Sequence, residues 1–165
     1  MKTLFLLRHA KAENAALGLT DLNRALNSRG RNEAQAIGTF LKKQNQKFDL
    51  VLCSTAVRAR ETTELVLAAA ELAANVRYDQ RIYEAGPRRL LEVISEIEED
   101  LSVVLLVGHN PGMEELLQVL TDRVEQLATG TLAKIDLAAA EWSKAREGSG
   151  TLDLIVKPQA LAPGS

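Results

Sequence analysis

Only two histidines occur in the 165 residues, and each closes a short apolar run: Thr3–Leu7 leads into Arg8–His9, and Ser102–Val107 leads into Gly108–His109–Asn110–Pro111. A third apolar run, Asp49–Cys53, leads into Ser54, with Arg58 and Arg60 just beyond. Imidazoles and guanidiniums are a set for anions. Arginine presents a planar fork that matches phosphate oxygens and stays charged at any ordinary pH. A neutral imidazole among such cations can attack phosphorus in line while the cations hold the equatorial oxygens. The expected occupant is a phosphoryl group, held among the two imidazoles and two or three of these guanidiniums.

The elements that must bring these residues together follow from the pattern between them. Continuous apolar runs, rather than alternating ones, indicate strands covered on both faces of a sheet. Between them lie helical spacings. Ala34, Ile37 and Leu41 place an apolar stripe on Ser28–Gln44, with Asn27 or Ser28 as cap. Ala56–Ala74 carries Leu65, Val66, Ala69 and Leu72. Pro87 opens a segment with Leu90, Leu91, Ile94 and Ile97, and Gly112–Thr121 is a further short helix. Val76–Tyr78 reads as a short strand, and Thr131–Leu137 with Thr151–Val156 as a hairpin-like pair added at the sheet edge. The alternation predicts an α/β fold, a three-layer α/β/α sandwich with a largely parallel central sheet. In such sheets ligands bind beyond the carboxyl ends of the strands, where both histidines fall. Helix starts at Ala56 and Gly112 are expected to add backbone N–H groups to the same place. One domain is expected over residues 1–158, with 159–165 as a flexible tail.

Composition excludes several classes. A formal charge of −2 (20 Lys and Arg against 22 Asp and Glu) gives no reason to expect nucleic acid or an anionic membrane as partner. The single cysteine, Cys53, rules out an intrachain disulfide framework and suits a reducing compartment. The N-terminal apolar run is too short for a signal peptide and no stretch is long enough to span a bilayer, so a soluble, cytoplasmic chain is expected. Two histidines, one cysteine and no acidic neighbour make a poor zinc set, and neither a P-loop nor a GxGxxG occurs. No cofactor is expected; a monomer is favoured.

Three spaced motifs then carry a resemblance. Arg8-His9-Ala10 resembles the Arg-His-Gly signature of the histidine phosphatase superfamily, the phosphoglycerate-mutase-like group. Ser54-x-x-x-Arg58-Ala59-x-x-Thr62 and Gly108-His109-Asn110-Pro111 resemble its second and third elements, and Leu26-x-x-x-Gly30 resembles its usual opening of the first helix. The compact chain and its Arg-His-Ala-Lys-Ala-Glu form are most similar to the SixA-type phosphohistidine phosphatases. The resemblance implies that His9 is a nucleophile forming a covalent phosphohistidine, with Arg8, Arg58 and His109 as its phosphoryl clamps. It implies a phosphatase for phosphohistidine in a signalling protein, such as a phosphotransfer domain. A phosphatase of small phosphate esters, or a phosphoprotein-binding module without turnover, are the alternatives.

Two positions depart from the family pattern. Ala10 stands where glycine is usual, which is tolerable if its φ is negative. Ile82-Tyr83-Glu84 resembles the context of the proton-donating glutamate in many relatives, making Glu84 the candidate acid. Arg24 and Asn110 are further candidates for substrate contact. Arg60 is expected to face away from the pocket, Ser54 and Thr62 to support it, Cys53 and Trp142 to pack in the core, and Lys11 to lie at the rim.

Overall fold

The computed structural model describes residues 1–161. Six strands form one sheet: β1 (Lys2–Arg8), β2 (Leu50–Cys53), β3 (Val76–Tyr78), β4 (Val103–Gly108), β5 (Leu132–Leu137) and β6 (Gly150–Val156), in the order β3-β2-β4-β1-β5-β6. The first four are mutually parallel; β5 runs antiparallel to β1, and β6 antiparallel to β5. This is the expected parallel sheet with an edge hairpin pair. Four helices cover it: α1 (Ser28–Lys43), α2 (Val57–Ala70), α3 (Pro87–Ser95) and α4 (Gly112–Thr121).

Strand alternation divides the core. Leu4 and Leu6 face Leu90, Ile94, Met113, Leu116 and Trp142, on the α3–α4 side. Phe5 and Leu7 face Ile37, Leu41, Val66 and Leu132, on the α1–α2 side. Both faces of β1 are therefore buried, which is why its sequence is apolar throughout.

Helix boundaries follow local chemistry. The Asn27 side chain accepts from Gly30 N–H at 2.8 Å and caps α1. Gly30 is required by close approach, since a Cβ there would lie 1.9 Å from the Lys11 carbonyl oxygen. Pro87 occupies the first turn of α3, where its missing N–H costs nothing.

Helix α2 ends at Ala70 rather than Ala74. Glu71 takes a left-handed conformation (φ 56°) and Leu72 N–H returns to the Leu67 carbonyl, which turns Leu72 back onto the core. Its buried face also differs from the expected set: Ala59, Thr62, Thr63, Val66, Leu67 and Ala70 are inside, whereas Leu65 and Ala69 are half-buried. Residues 159–161, expected within the tail, are packed on the domain. Pro158–Ala160 forms a 3-10 turn, Gln159 Nε2 donates to Glu33 at 2.9 Å, and Leu161 packs on the core. The rest of that expected tail, 162–165, lies outside the described residues. Among the described residues no helix is long and apolar enough to cross a membrane.

Candidate active site

Sheet register sets the first geometric fact. Arg8 pairs with Gly108 across β1 and β4, and Cys53 pairs with Val107 across β2 and β4. The residues that follow, His9, His109 and Ser54, therefore leave three adjacent strands at the same edge. The two imidazole rings lie 5.0 Å apart, each residue only 7% exposed.

The turn after β1 is held from three sides. His9 N–H donates to the Gly108 carbonyl and Gly130 N–H is shared between the Arg8 and His9 carbonyls. Thr62 accepts from Ala10 N–H at 3.0 Å while donating to the Arg58 carbonyl at 2.7 Å, so one hydroxyl ties this turn to α2. Ala10 is fully buried and is absent from the residues with positive φ. Its methyl group thus meets the condition under which alanine replaces glycine without backbone strain.

His9 Nδ1 lies 2.8 Å from the Ala10 carbonyl oxygen. A carbonyl can only accept, so the Nδ1 nitrogen carries the proton and Nε2 keeps a lone pair. Arg58 Nε approaches that Nε2 at 3.4 Å. Burial, and then the positive charges of Arg58, Arg8 and Arg24, lower the His9 pKa to about 4, against the opposing bond to Ala10. His109 falls to about 3 through burial, then through His9 and Arg58. Both rings are neutral at pH 7.

His109 Nε2 lies 2.7 Å from Ser54 Oγ, which also accepts from Ala56 N–H at 3.2 Å. The hydroxyl keeps its own proton and a second lone pair, so this bond forms with either ring tautomer; where Ser54 donates to Nε2, the ring proton sits on Nδ1. His109 Nδ1 and Arg8 Nε are both buried and without a protein partner among the described residues. Arg8 Nε is a donor left over for an anion, and His109 Nδ1 is another when it carries the ring proton. Arg8 Nη1 donates to the Leu127 carbonyl at 3.0 Å, and Leu127 is itself held by Glu114, whose carboxylate accepts from Leu127 N–H at 2.7 Å. Burial lowers the Arg8 pKa, with Glu114 and Glu33 opposing it.

The remaining candidates divide. Asn110 donates to Glu114 at 3.0 Å and to the Leu127 carbonyl at 2.8 Å, so its amide braces the loop that holds Arg8. Arg24 reaches the rim through Asp21, at 2.9 Å, and the Glu13 carbonyl, at 2.7 Å. Glu84 is exposed and left-handed (φ 54°); its neighbour Tyr83 is the side chain that stands edge-on to His109 at 5.5 Å. Arg60 faces away, stacked on Tyr78 at 4.8 Å. Cys53 is buried, and desolvation pushes its thiol up to about 12, so it is inert. Trp142 is buried, with Nε1 donating to the Leu101 carbonyl at 2.8 Å. The start of α4 gives less to the site than expected, since Met113 N–H is already bonded to the His109 carbonyl. Among the described residues no cluster of three His, Cys, Asp or Glu could hold a metal ion.

Two residues of the site escaped sequence reasoning. The Asp21 carboxylate accepts from Arg58 Nη2 at 3.0 Å, from Tyr83 Oη at 2.5 Å and from Arg24 Nε at 3.0 Å, and the Asp21 carbonyl accepts from Arg58 Nη1 at 2.7 Å. These bonds, Tyr83 first, hold Asp21 far below the usual carboxylate range, and the same contact raises Tyr83 to about 12. The one signal available was the Asp21-Leu22-Asn23-Arg24 spacing, in which only the arginine suggested chemistry.

Fold and site together place two imidazoles and two guanidiniums in one largely buried cluster at the carboxyl edge of a parallel sheet. The sequence profile of the histidine phosphatase superfamily (branch 1) matches residues 4–87, and the chain belongs to that superfamily. An uncharacterised protein of Mycobacterium tuberculosis is 33% identical over 157 residues, covering 88% of this chain and 96% of the relative. Two solved structures share the whole architecture. A SixA protein of Nakamurella multipartitia, provisionally assigned as a phosphohistidine phosphatase, is 31% identical with a TM-score of 0.84 over 96% of this chain and 97% of that one. Its counterpart from Agrobacterium tumefaciens, equally provisional, is 31% identical with a TM-score of 0.83 over 95% and 98%.

Proposed function

We propose that the protein is a cofactor-free phosphatase that transfers a phosphoryl group from phosphohistidine in a signalling protein to His9 and then to water. The observation that carries this reading is the orientation of His9: Nδ1 is committed to the Ala10 carbonyl, so Nε2 keeps the lone pair, which accepts a long 3.4 Å contact from Arg58 Nε and lies on the side of His109. In the first step Nε2 bonds to phosphorus as the bond to the substrate breaks, and the leaving nitrogen takes the electron pair. Arg8, Arg58 and the Nδ1–H of His109 hold the three equatorial oxygens, whose charge they match. In the second step a water attacks phosphorus, the P–Nε2 bond breaks, and inorganic phosphate leaves with His9 restored.

A phosphohistidine substrate fits an acid-poor pocket. Once protonated on its other nitrogen, the leaving ring departs as neutral imidazole, whose conjugate acid has a pKa of about 6.5. An alkoxide needs a proton far more. Glu84 is the proposed donor where one is needed, so Glu84→Gln should slow esters more than phosphohistidine. The lone buried cysteine agrees with a cytoplasmic setting. The partner we favour is a phosphotransfer domain.

The test is a phosphatase panel of phosphohistidine proteins, phospholysine, phosphoarginine and small esters, with His9→Ala as control. Release fastest from phosphohistidine, and lost in His9→Ala, is expected. Preference for a small ester would replace the substrate, and binding without turnover would make the protein a phosphoprotein-binding module.

A further inference from the structure

Glu33 is a buried carboxylate on α1, only 5% exposed. Its one salt-bridge partner among the described residues is Arg29, at 3.4 Å and itself on the surface. The other partners come from three distant segments. Oε1 accepts from the Lys11 N–H at 2.9 Å, while Oε2 accepts from Thr129 Oγ1 at 3.2 Å and from Gln159 Nε2 at 2.9 Å. A buried charge depends on such bonds, and the first two of these lead to His9.

The Lys11 N–H belongs to the same peptide unit as the Ala10 carbonyl. That unit is planar and trans, so its N–H and C=O point in opposite directions. On one side it donates to Glu33; on the other it accepts from His9 Nδ1 at 2.8 Å. Fixing the N–H fixes the plane, and with it the bearing of the carbonyl that holds the ring. The charge adds to this, because a hydrogen bond to a carboxylate polarises the peptide and strengthens the bond that its carbonyl accepts. Thr129 makes the second connection. Its neighbour Gly130 lies against Glu33, where a Cβ would come 3.1 Å from that of the glutamate. Gly130 N–H in turn donates to the carbonyls of Arg8 and His9, at 3.0 and 3.1 Å.

We infer that Glu33 is a positioning residue that acts on His9 through the Ala10–Lys11 peptide, holding the ring proton on Nδ1 and leaving the lone pair on Nε2. The attack made by that lone pair rests on the phosphatase reading; the hold of Glu33 on the ring does not. Removing the carboxylate leaves the donors of Arg8 and Arg58 in place. Its loss should therefore slow transfer to His9 while sparing affinity for an oxyanion.

Three measurements test this: the His9 tautomer by nitrogen-15 NMR at neutral pH, affinity for tungstate as a bare oxyanion by calorimetry, and the rate at which phosphoramidate labels His9. Glu33→Ala should lower the ratio of Nδ1–H to Nε2–H forms about tenfold and slow labelling about tenfold, with tungstate affinity kept within about threefold. Glu33→Gln keeps a neutral acceptor and should lower the ratio about threefold, and it decides alone if Glu33→Ala fails to fold. Gln159→Ala removes a bond to the carboxylate without touching Lys11, and should leave the ratio unchanged. A wild-type ring protonated on Nε2, an unchanged ratio in the folded Glu33 variants, an equal shift in Gln159→Ala, or tungstate affinity that falls as far as the labelling rate would overturn the role of Glu33. No labelling of His9 in the wild type would instead sink the phosphatase reading, with the tautomer ratio still judging Glu33.

Discussion

Lowering the pH from 7 to 5 should cost this protein about 4 kcal/mol of stability through two side chains. His9 and His109 are buried and neutral, with pKa values lowered to about 4 and about 3. In the unfolded chain each reverts to about 6.5. Between those limits the unfolded state binds more protons than the folded one, so stability is full above pH 6.5 and falls as the pH drops toward the folded values. At pH 5 each ring is about 1.5 pH units below its unfolded pKa and above its folded one. At about 1.36 kcal/mol per unit this is about 2 kcal/mol per histidine. The sum is insensitive to the folded values because pH 5 lies above both. Asp21, Asp79, Glu96 and Glu98, whose folded pKa values are lowered, contribute in the same direction mainly below pH 5. Urea denaturation at the two pH values reads the effect as a midpoint shift of about 2 M, taking an m-value of about 2 kcal/mol per M. The double variant His9→Asn/His109→Asn should lose most of that shift. Equal wild-type midpoints at pH 5 and 7, or a shift undiminished in the double variant, would refute the neutral imidazole pair that the proposed nucleophilic attack requires.

Other outcomes follow from the supports of the pocket. Ser54→Ala removes the hydrogen-bond partner of the His109 ring among the described residues; tungstate affinity should fall about tenfold, and the nitrogen-15 shifts of His109 should show a change in the Nδ1–H tautomer population, a signature that mere loosening would not give. Glu114→Gln weakens the grip on Leu127, whose carbonyl holds Arg8, and should raise KM for a phosphoramidate about three- to tenfold with a melting temperature lowered by only a few degrees. Gly30→Ala drives a Cβ into the Lys11 carbonyl at 1.9 Å. A loss of at least about 2 kcal/mol in denaturant titration is expected, because backbone rather than a flexible side chain must move.

The sequence disclosed those parts of the molecule whose cause is local. Continuous apolar runs marked β1, β2 and β4, and the residue at each strand end marked the pocket, because a parallel sheet brings strand ends together by register alone. Asn27 and Pro87 marked helix starts for the same reason. What stayed hidden depends on contacts between segments far apart in the chain. Leu72 ends α2 early because the core needs it turned back, which no alanine-rich periodicity reveals. Asp21 sits in an exposed loop and gains its role only when Arg58, 37 residues on, and Tyr83, 62 residues on, fold against it. Glu33 is similar, a buried carboxylate on α1 that gathers Lys11 N–H, Thr129 and Gln159 from three segments. At Tyr83-Glu84 the family pattern points to the acid, whereas the left-handed backbone at Glu84 leaves the Tyr83 ring facing His109.

The proposed mechanism requires a covalent phosphoryl group at one nitrogen of one residue. Exposing the protein to a phosphohistidine donor or phosphoramidate, quenching in alkali and mapping the label by mass spectrometry and phosphorus NMR tests it directly. Phosphate linked to Nε2 of His9, acid-labile and absent in His9→Ala, is the predicted result. Label on His109, linkage through Nδ1 of His9, or phosphate release without any label on His9 would contradict it.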